Sequence, residues 1–255
     1  MTRQPEAGDA AQPLLYTDLA DWFHLLTHPD DYAEEAAEWS RLIREVLGRG
    51  PATMLELGSG GGNNALHMKR GTTLTLADLS PAMLDVSRRI NPECEHVAGD
   101  MRWLPLRRIF DAVFIHDAIC YMTNEDDLRR TFETAFAHCA PGGVTLLVPD
   151  EVRETFRPST ESGGHDGPAD GPDAGRSLRY LEWTWDPDPS DSETVADFAY
   201  LLRERDGTLR AFRDRHRFGL FPRATWLGLM KEAGFAAEPR ETQIGSQPFL
   251  ARRPR

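Results

Sequence analysis

Between Thr53 and Pro149, apolar runs of strand length alternate with amphipathic segments of helix length over short connections. That alternation admits few folds other than a parallel sheet covered by helices on both faces. The expected strands are Thr53 to Leu57, Thr73 to Asp78, Glu95 to Gly99, Phe110 to His116 and Gly143 to Pro149, with helices near Asn63 to Lys69, Pro81 to Ile90 and Glu125 to Ala140. In the last helix Leu128, Phe132, Ala135, Phe136 and Cys139 share a face, and Pro141-Gly142-Gly143 is expected to stop it. Upstream, Tyr32, Ala36, Trp39, Ile43 and Val46 recur at alternating steps of four and three, which predicts a helix ending near Gly48 and Gly50.

Downstream the composition changes at Arg157. Pro158 to Arg176 is rich in Gly, Pro, Ser and Asp and reads as a mobile loop or lid. Ser177 to Trp185, Thr194 to Arg205 and Thr208 to Phe218 read as extended, with Asp206-Gly207 as a hairpin turn. A helix near Arg223 to Ala233 and strands near Ala237 to Gln243 and Pro248 to Arg252 return the chain to the main sheet. With 255 residues and 40% hydrophobic content, one large α/β domain carrying a smaller inserted lobe is expected.

The chemistry-bearing residues sit at predicted strand ends. Glu56-Leu57-Gly58-Ser59-Gly60-Gly61-Gly62 follows the first strand and opens a helix, and glycines there let backbone approach a ligand. Dinucleotide-binding enzymes use a similar turn, so the next two elements discriminate. Asp78 closes the second strand before Leu79-Ser80-Pro81-Ala82-Met83-Leu84, placed to accept hydrogen bonds from a ribose diol. Asp100, in Gly99-Asp100-Met101, closes the third, where a carboxylate can accept from an adenine amino group while Met101 packs on the ring. Each residue also has a structural reading, Glu56 as a helix-dipole partner and the aspartates as strand-end caps. Together they point to an adenosine-containing ligand.

These motifs, with Phe110-Asp111-Ala112-Val113 and Pro141-Gly142-Gly143, resemble the class I S-adenosylmethionine-dependent methyltransferases over roughly Met54 to Asp150. The resemblance implies an α/β fold with a seven-stranded Rossmann-like sheet, helices on both faces and one antiparallel strand supplied by the C-terminal segment. It implies S-adenosyl-L-methionine as cofactor, with Gly58 and Gly60 at the methionine portion, Asp78 at the ribose, Asp100 and Met101 at the adenine, and His116 near the sulfonium. Tyr16, Ser59, Leu79 and Met83 join Glu56 as expected cofactor contacts. The expected organisation is a disordered 1–13, an N-terminal helical cap 14–50, a cofactor-binding core 51–156, a mobile loop and antiparallel β insertion 157–221, and a return to the core sheet 222–255.

The acceptor is less constrained. His116-Asp117-Ala118-Ile119-Cys120-Tyr121 departs from the Asn/Asp-Pro-Pro-aromatic turn of enzymes that methylate base nitrogens, and a net charge of −12 opposes a nucleic-acid partner. A small-molecule acceptor, methylated on nitrogen or oxygen in bacterial secondary metabolism, is expected. The insertion and the pattern from His216 to Phe221 resemble the small-molecule N-methyltransferases, including those that dimethylate nucleotide-linked amino sugars. Tyr32, Asp117, Tyr121 and Arg215 are the expected acceptor contacts, and Tyr16, Tyr32 and Tyr121 could also close over the sulfonium or belong to the core. Arginines of the run Arg203, Arg205, Arg210, Arg213, Arg215 and Arg217 could meet a diphosphate or form a solvated strand face. Where a base is needed, His216 and His116 are the candidates.

A nicotinamide-dependent oxidoreductase and a non-catalytic partner module are the competing readings. Cys94, Cys120 and Cys139 fit neither a disulfide framework nor a zinc site, and no metal is expected. The polar start of the chain and the lack of a long apolar run predict a cytoplasmic protein with no membrane partner.

Overall fold

The computed structural model describes residues 12–255. The expectation of a disordered start therefore falls, for residues 1–11, outside the described residues. In chain order the elements are α1 (Phe23–Leu26), α2 (Ala33–Leu47), β1 (Thr53–Leu57), α3 (Asn63–Met68), β2 (Thr73–Asp78), α4 (Pro81–Ile90), β3 (Glu95–Ala98), β4 (Phe110–Ile115), α5 (Glu125–His138), β5 (Cys139–Leu147), β6 (Ser159–Gly163), β7 (Ser177–Trp185), β8 (Glu193–Arg203), β9 (Leu209–Gly219), α6 (Arg223–Glu232), β10 (Ala236–Pro239) and β11 (Phe249–Arg252). Short 3-10 turns precede α1 and α2, and another, Asp117–Tyr121, follows β4.

A seven-stranded sheet runs in the order β10-β11-β5-β4-β1-β2-β3, and β11 is antiparallel to both of its neighbours. Its two faces sort by strand alternation. Leu55, Leu57, Val113 and Ile115 face Leu128, Phe132, Trp226 and Met230 of α5 and α6, while Met54, Leu76, Ala112 and Phe114 face Trp39, Ile43, Ala65 and Met68 of α2 and α3. The helices start where local chemistry permits. Ser80 Oγ accepts from the Met83 amide at 3.2 Å with Pro81 at the first turn of α4, and Asn124 Oδ1 accepts from the Asp127 amide at 2.9 Å at α5. Helix α5 stops at His138, ahead of Pro141-Gly142-Gly143, because β5 takes over the chain at Cys139 and carries that tripeptide within it.

A second, antiparallel sheet has the order β6-β7-β8-β9. The Asp206-Gly207 turn joins β8 to β9, with Gly207 at φ +86° and the Glu204 amide bonded to the Thr208 carbonyl at 2.9 Å. Strand β6 lies inside the stretch whose composition predicts only a loop; five of its residues pair with β7. Leu178, Tyr200 and Leu202 on the inner face of this sheet bury Leu15, Leu19, Trp22 and Leu25, so the N-terminal segment is clamped between the two sheets. No helix among the described residues is long and apolar enough to cross a membrane.

Candidate active site

The carboxyl ends of β1, β2, β4 and β5 open onto one cavity of about 1070 Å³, which extends to the inner face of the antiparallel sheet. The strand order reverses between β1 and β4, the place where open α/β sheets form a ligand crevice.

The glycine turn forms the near wall. Gly58, Gly60 and Gly62 have φ of +73°, +52° and +79°, a region in which L side chains are strained. A Cβ on Gly58 would lie 2.3 Å from Ala118 Cβ and 2.8 Å from Met101 Cε, and one on Gly62 would lie 2.3 Å from Ser87 Oγ. The turn is fixed to β2: the Gly58 and Ser59 amides donate to the Ala77 carbonyl at 2.8 and 3.0 Å, and the Gly60 amide donates to Asp78 Oδ2 at 2.8 Å. Asp78 Oδ1 accepts from the Ser80 amide at 2.8 Å, which leaves one lone-pair position on each carboxylate oxygen. Burial pushes the Asp78 carboxyl up despite those two bonds. Asp100 is opposed by burial but held below its ordinary value by Arg102, whose guanidinium bonds both of its oxygens and reaches Asp127 at 2.9 Å.

Below the turn lies a network of titratable groups. Glu56 is 3% exposed, its Oε2 has no hydrogen-bond partner, and burial drives its pKa up to about 8 against the opposing pull of His116. His116 sits among Tyr32, Trp39 and Phe114, with Nδ1 3.0 Å from Asp117 and Nε2 3.5 Å from Glu35. Burial opposes its charge, but Asp117, Glu35 and Asp150 outweigh that and raise it to about 9. Asp117 and Asp150 line the cavity. Enclosure by the protein works against the charge of both; His116 holds Asp117 below its ordinary value, and Asp117 adds to the upward push on Asp150.

On the far wall, His216 is 2% exposed on β9. Its Nδ1 lies 2.7 Å from the Tyr121 hydroxyl, which lies 3.0 Å from the Tyr16 hydroxyl, and its Nε2 lies 3.2 Å from Asp214 Oδ2. Asp214 Oδ2 also accepts from the Leu15 amide at 3.1 Å. Phe198 and Phe218 flank the imidazole, with ring centroids 4.8 and 5.9 Å away.

Of the residues singled out from sequence, Tyr16, Tyr32, Glu56, Gly58, Ser59, Gly60, Asp78, Leu79, Asp100, Met101, His116, Asp117, Tyr121 and His216 all line this cavity. Three expectations need correction. Met83 is buried beneath the turn, packed with Ala20 and Val86, rather than on the cavity surface. Arg215 points the other way from His216, as successive strand residues must, and pairs with Asp197 at 2.7 Å on the outer face of the sheet. Arg203, Arg213 and Arg217 share that face, so these four arginines form a solvated strand surface, whereas Arg210 stands opposite Leu202 and pairs with Glu204, and Arg205 lies beyond the end of β8. His116, expected as a candidate base, is held as an imidazolium near neutrality and has no free lone pair with which to take a proton. Sequence reading passed over Asp150, Arg157 and Asp214. Asp150 lies three residues past the end of β5, and the spacing Asp214-x-His216 already put both side chains on one strand face.

The model of the methyltransferase domain matches residues 54–143. The dTDP-3-amino-3,6-dideoxy-alpha-D-glucopyranose N,N-dimethyltransferase of Streptomyces fradiae is 28% identical over 212 residues, covering 82% of this chain and 79% of that one. Among solved structures, Streptomyces venezuelae DesVI superposes with a TM-score of 0.78 at 24% identity, covering 92% of this chain and 97% of its own. S-adenosylmethionine-bound CalS10, an amino pentose methyltransferase from Micromonospora echinaspora, gives 0.73 at 22% identity and covers 98% and 100% of the two chains. The motif order, the sheet topology and these likenesses agree: residues 54–143 carry a methyltransferase domain, and the chain is similar to class I S-adenosylmethionine-dependent methyltransferases, nucleotide-sugar N-methyltransferases among them.

Proposed function

We propose that this enzyme methylates the amino group of a nucleotide-linked deoxyamino sugar. The observation that carries the reading is a likeness to an enzyme of that kind over 82% of this chain and 79% of that one, on a chain with a large cavity running from the glycine turn to the antiparallel sheet. A volume of about 1070 Å³ exceeds what a cofactor of this size needs alone.

The residues at the glycine turn suit an adenosine-bearing cofactor. The turn from Gly58 to Gly60 would cradle the methionine portion, Asp78 would accept from the ribose hydroxyls through its two remaining lone pairs, and Asp100 with Met101 would meet the adenine. Glu56 Oε2, buried and without a partner, is placed for a cationic amine of the cofactor. When bound, S-adenosylmethionine supplies an electrophilic methyl group on a sulfonium. The protein's work is then to exclude water and to hold the acceptor nitrogen in line with that methyl.

Acidic side chains dominate the acceptor half: Asp117, Asp150, Glu151, Glu161 and Glu182 all line it. They disfavour a polycarboxylate acceptor and favour an amine. Among the described residues, the arginines lining the cavity are Arg102, already engaged by two aspartates, and Arg157, exposed at the rim. Arg157 is the group placed to meet the diphosphate in this reading, a role the sequence offered to the arginines of the run Arg203 to Arg217. The test is incubation with S-adenosylmethionine and a panel of dTDP-linked amino sugars, hydroxyl sugars and polycarboxylates, read by mass spectrometry. Successive gain of one and then two methyl groups by an amino sugar is expected. Methylation confined to hydroxyl or carboxylate acceptors would overturn the reading.

A further inference from the structure

Beside the glycine turn, the cavity wall holds buried acceptors that the fold leaves unpaired. Asn63 and Asn64 open α3, each 4% exposed, and the Oδ1 of each has no hydrogen-bond partner among the described residues. Glu56 Oε2 shares that condition at 3% exposure. All three side chains line the cavity. The oxygen and nitrogen of an amide exchange places on a flip, so their partners must fix which atom is left over. They do. The Asn63 nitrogen donates to the Thr27 carbonyl at 3.3 Å, and a carbonyl can only accept. Burial raises the Glu35 carboxyl, and the Asn64 amide bonds it in the sense that lowers it, as a donor does. Both nitrogens are thereby used within the protein, and both oxygens are left for the cavity. Unpaired buried acceptors are costly, and three beside one turn call for a common donor.

A primary ammonium matches them, with three N–H donors, no acceptor and one positive charge. Burial keeps Glu56 protonated near neutrality, and a cation beside it favours the ionised form. A carboxylate finds less. Among the described residues lining the cavity, Arg102 is engaged by Asp100 and Asp127, Arg157 is exposed at the rim, and His116 is held between Asp117 and Glu35. Neutral donors remain for it: the Tyr32 hydroxyl, which accepts from Thr27 Oγ1 at 3.1 Å and keeps its own hydrogen free, and the Ser59 hydroxyl. Neutral hydrogen bonds are the weaker kind. We propose that Asn63, Asn64 and Glu56 bind the terminal ammonium of the cofactor, so that the cofactor's methionine end is recognised through its amine and its carboxylate is dispensable. The proposal rests on the placement of the cofactor at the glycine turn given above. The site then takes a wider class of ligand than S-adenosylmethionine: adenosyl sulfonium and thioether compounds whose arm ends in a primary amine. Asn63 and Asn64 act in binding, apart from the transfer of the methyl group.

Calorimetry of the full chain with three adenosyl thioethers tests this. They are S-adenosylhomocysteine, its decarboxylated form, whose arm ends in the amine alone, and its deaminated form, whose arm ends in the carboxylate alone. Loss of the amine removes charge-assisted bonds to buried groups and should weaken binding by about a hundredfold or more, whereas loss of the carboxylate should cost about fivefold at most. The reverse order, or equal losses, overturns the proposal. This comparison uses the unaltered protein, so it decides the matter even where a variant fails to fold. Asn63→Leu and Asn64→Leu keep the branched shape and remove the oxygen. Each should weaken the two amine-bearing ligands by about tenfold and leave the deaminated one unchanged. Equal weakening of all three ligands would make the asparagines structural supports and contradict the proposal. Asp78→Ala is the control for placement, since the three ligands share their ribose and should weaken alike. If that variant binds all three as the unaltered protein does, the placement at the glycine turn falls and the proposal with it. If it weakens all three while the amine proves dispensable, the placement stands and the ammonium site alone fails.

Discussion

At the residue scale, Glu56 and His116 show how a buried site stores a pH dependence. Glu56 is raised to about 8 from an ordinary value of 4.5, and His116 to about 9 from 6.5. Both bind protons more tightly in the folded protein than in the unfolded chain, so both contribute stability that fades as pH rises. Glu56 spreads its loss between about 4.5 and 8, and His116 between about 6.5 and 9. The cofactor-free protein should therefore lose Tm steadily from pH 6.5 to 9, as followed by calorimetry. Glu56→Gln, which removes the ionisable group and keeps the shape, should flatten the curve below pH 8 and leave the His116 part of the slope. A wild-type Tm that rises over that interval would contradict the assignment of both groups.

Residues at strand ends were the most legible part of the site. Glu56, Asp78 and Asp100 declare themselves because a carboxylate at the end of an apolar run, beside a glycine turn or a helix cap, has few purely structural uses. His116 was found by position, but its protonation state depends on Asp117, Glu35 and Asp150, contributed by a 3-10 turn, a helix and the loop after β5. No spacing in the chain announces that meeting.

At the scale of elements, the alternating core was read almost to the residue, since β1, β2, β4 and α4 carry their own starts and stops. Strand β6 was not, because Ser159 to Gly163 has no apolar alternation and is a strand through its pairing with β7. Arg215 was misassigned although strand alternation alone sets it opposite His216; which of the two faces the cavity follows from the pairing of β9 with β8.

The N-terminal segment is the element whose docking completes the cavity. Arg176 lies over the Trp22 ring at 3.6 Å, Ser80 Oγ donates to the Tyr16 carbonyl at 2.5 Å, His24 bonds the Gly61 carbonyl at 3.1 Å, and Asp214 holds Leu15. Trp22 is 4% exposed, and Trp22→Ala should cost ~3 kcal/mol or more, concentrated in this segment. Hydrogen exchange should show faster exchange over residues 14–26 with the core strands unchanged, and cofactor should restore part of the lost protection. Uniform loss of protection across β1, β4 and β5 would show instead that the segment belongs to the global folding unit.

For the whole molecule, two sheets built on different rules face each other across one space. The parallel sheet supplies strand-end carboxylates and a glycine turn. The antiparallel sheet supplies His216, the aromatic rings and the acidic side chains of β6 and β7. The N-terminal segment bridges them, and hydrogen bonds from Asp214 through His216 and Tyr121 to Tyr16 cross all three parts. The proposed function uses that arrangement, with the cofactor against the parallel sheet and the acceptor against the antiparallel one.

The most direct test is a crystal structure with S-adenosylhomocysteine and thymidine diphosphate bound together. The account predicts the ribose of the first against Asp78, the diphosphate of the second against Arg157, and both ligands in the same cavity with Tyr16 between them. Thymidine diphosphate seated on the outer arginine face of the antiparallel sheet, around Arg213 and Arg215, would contradict it.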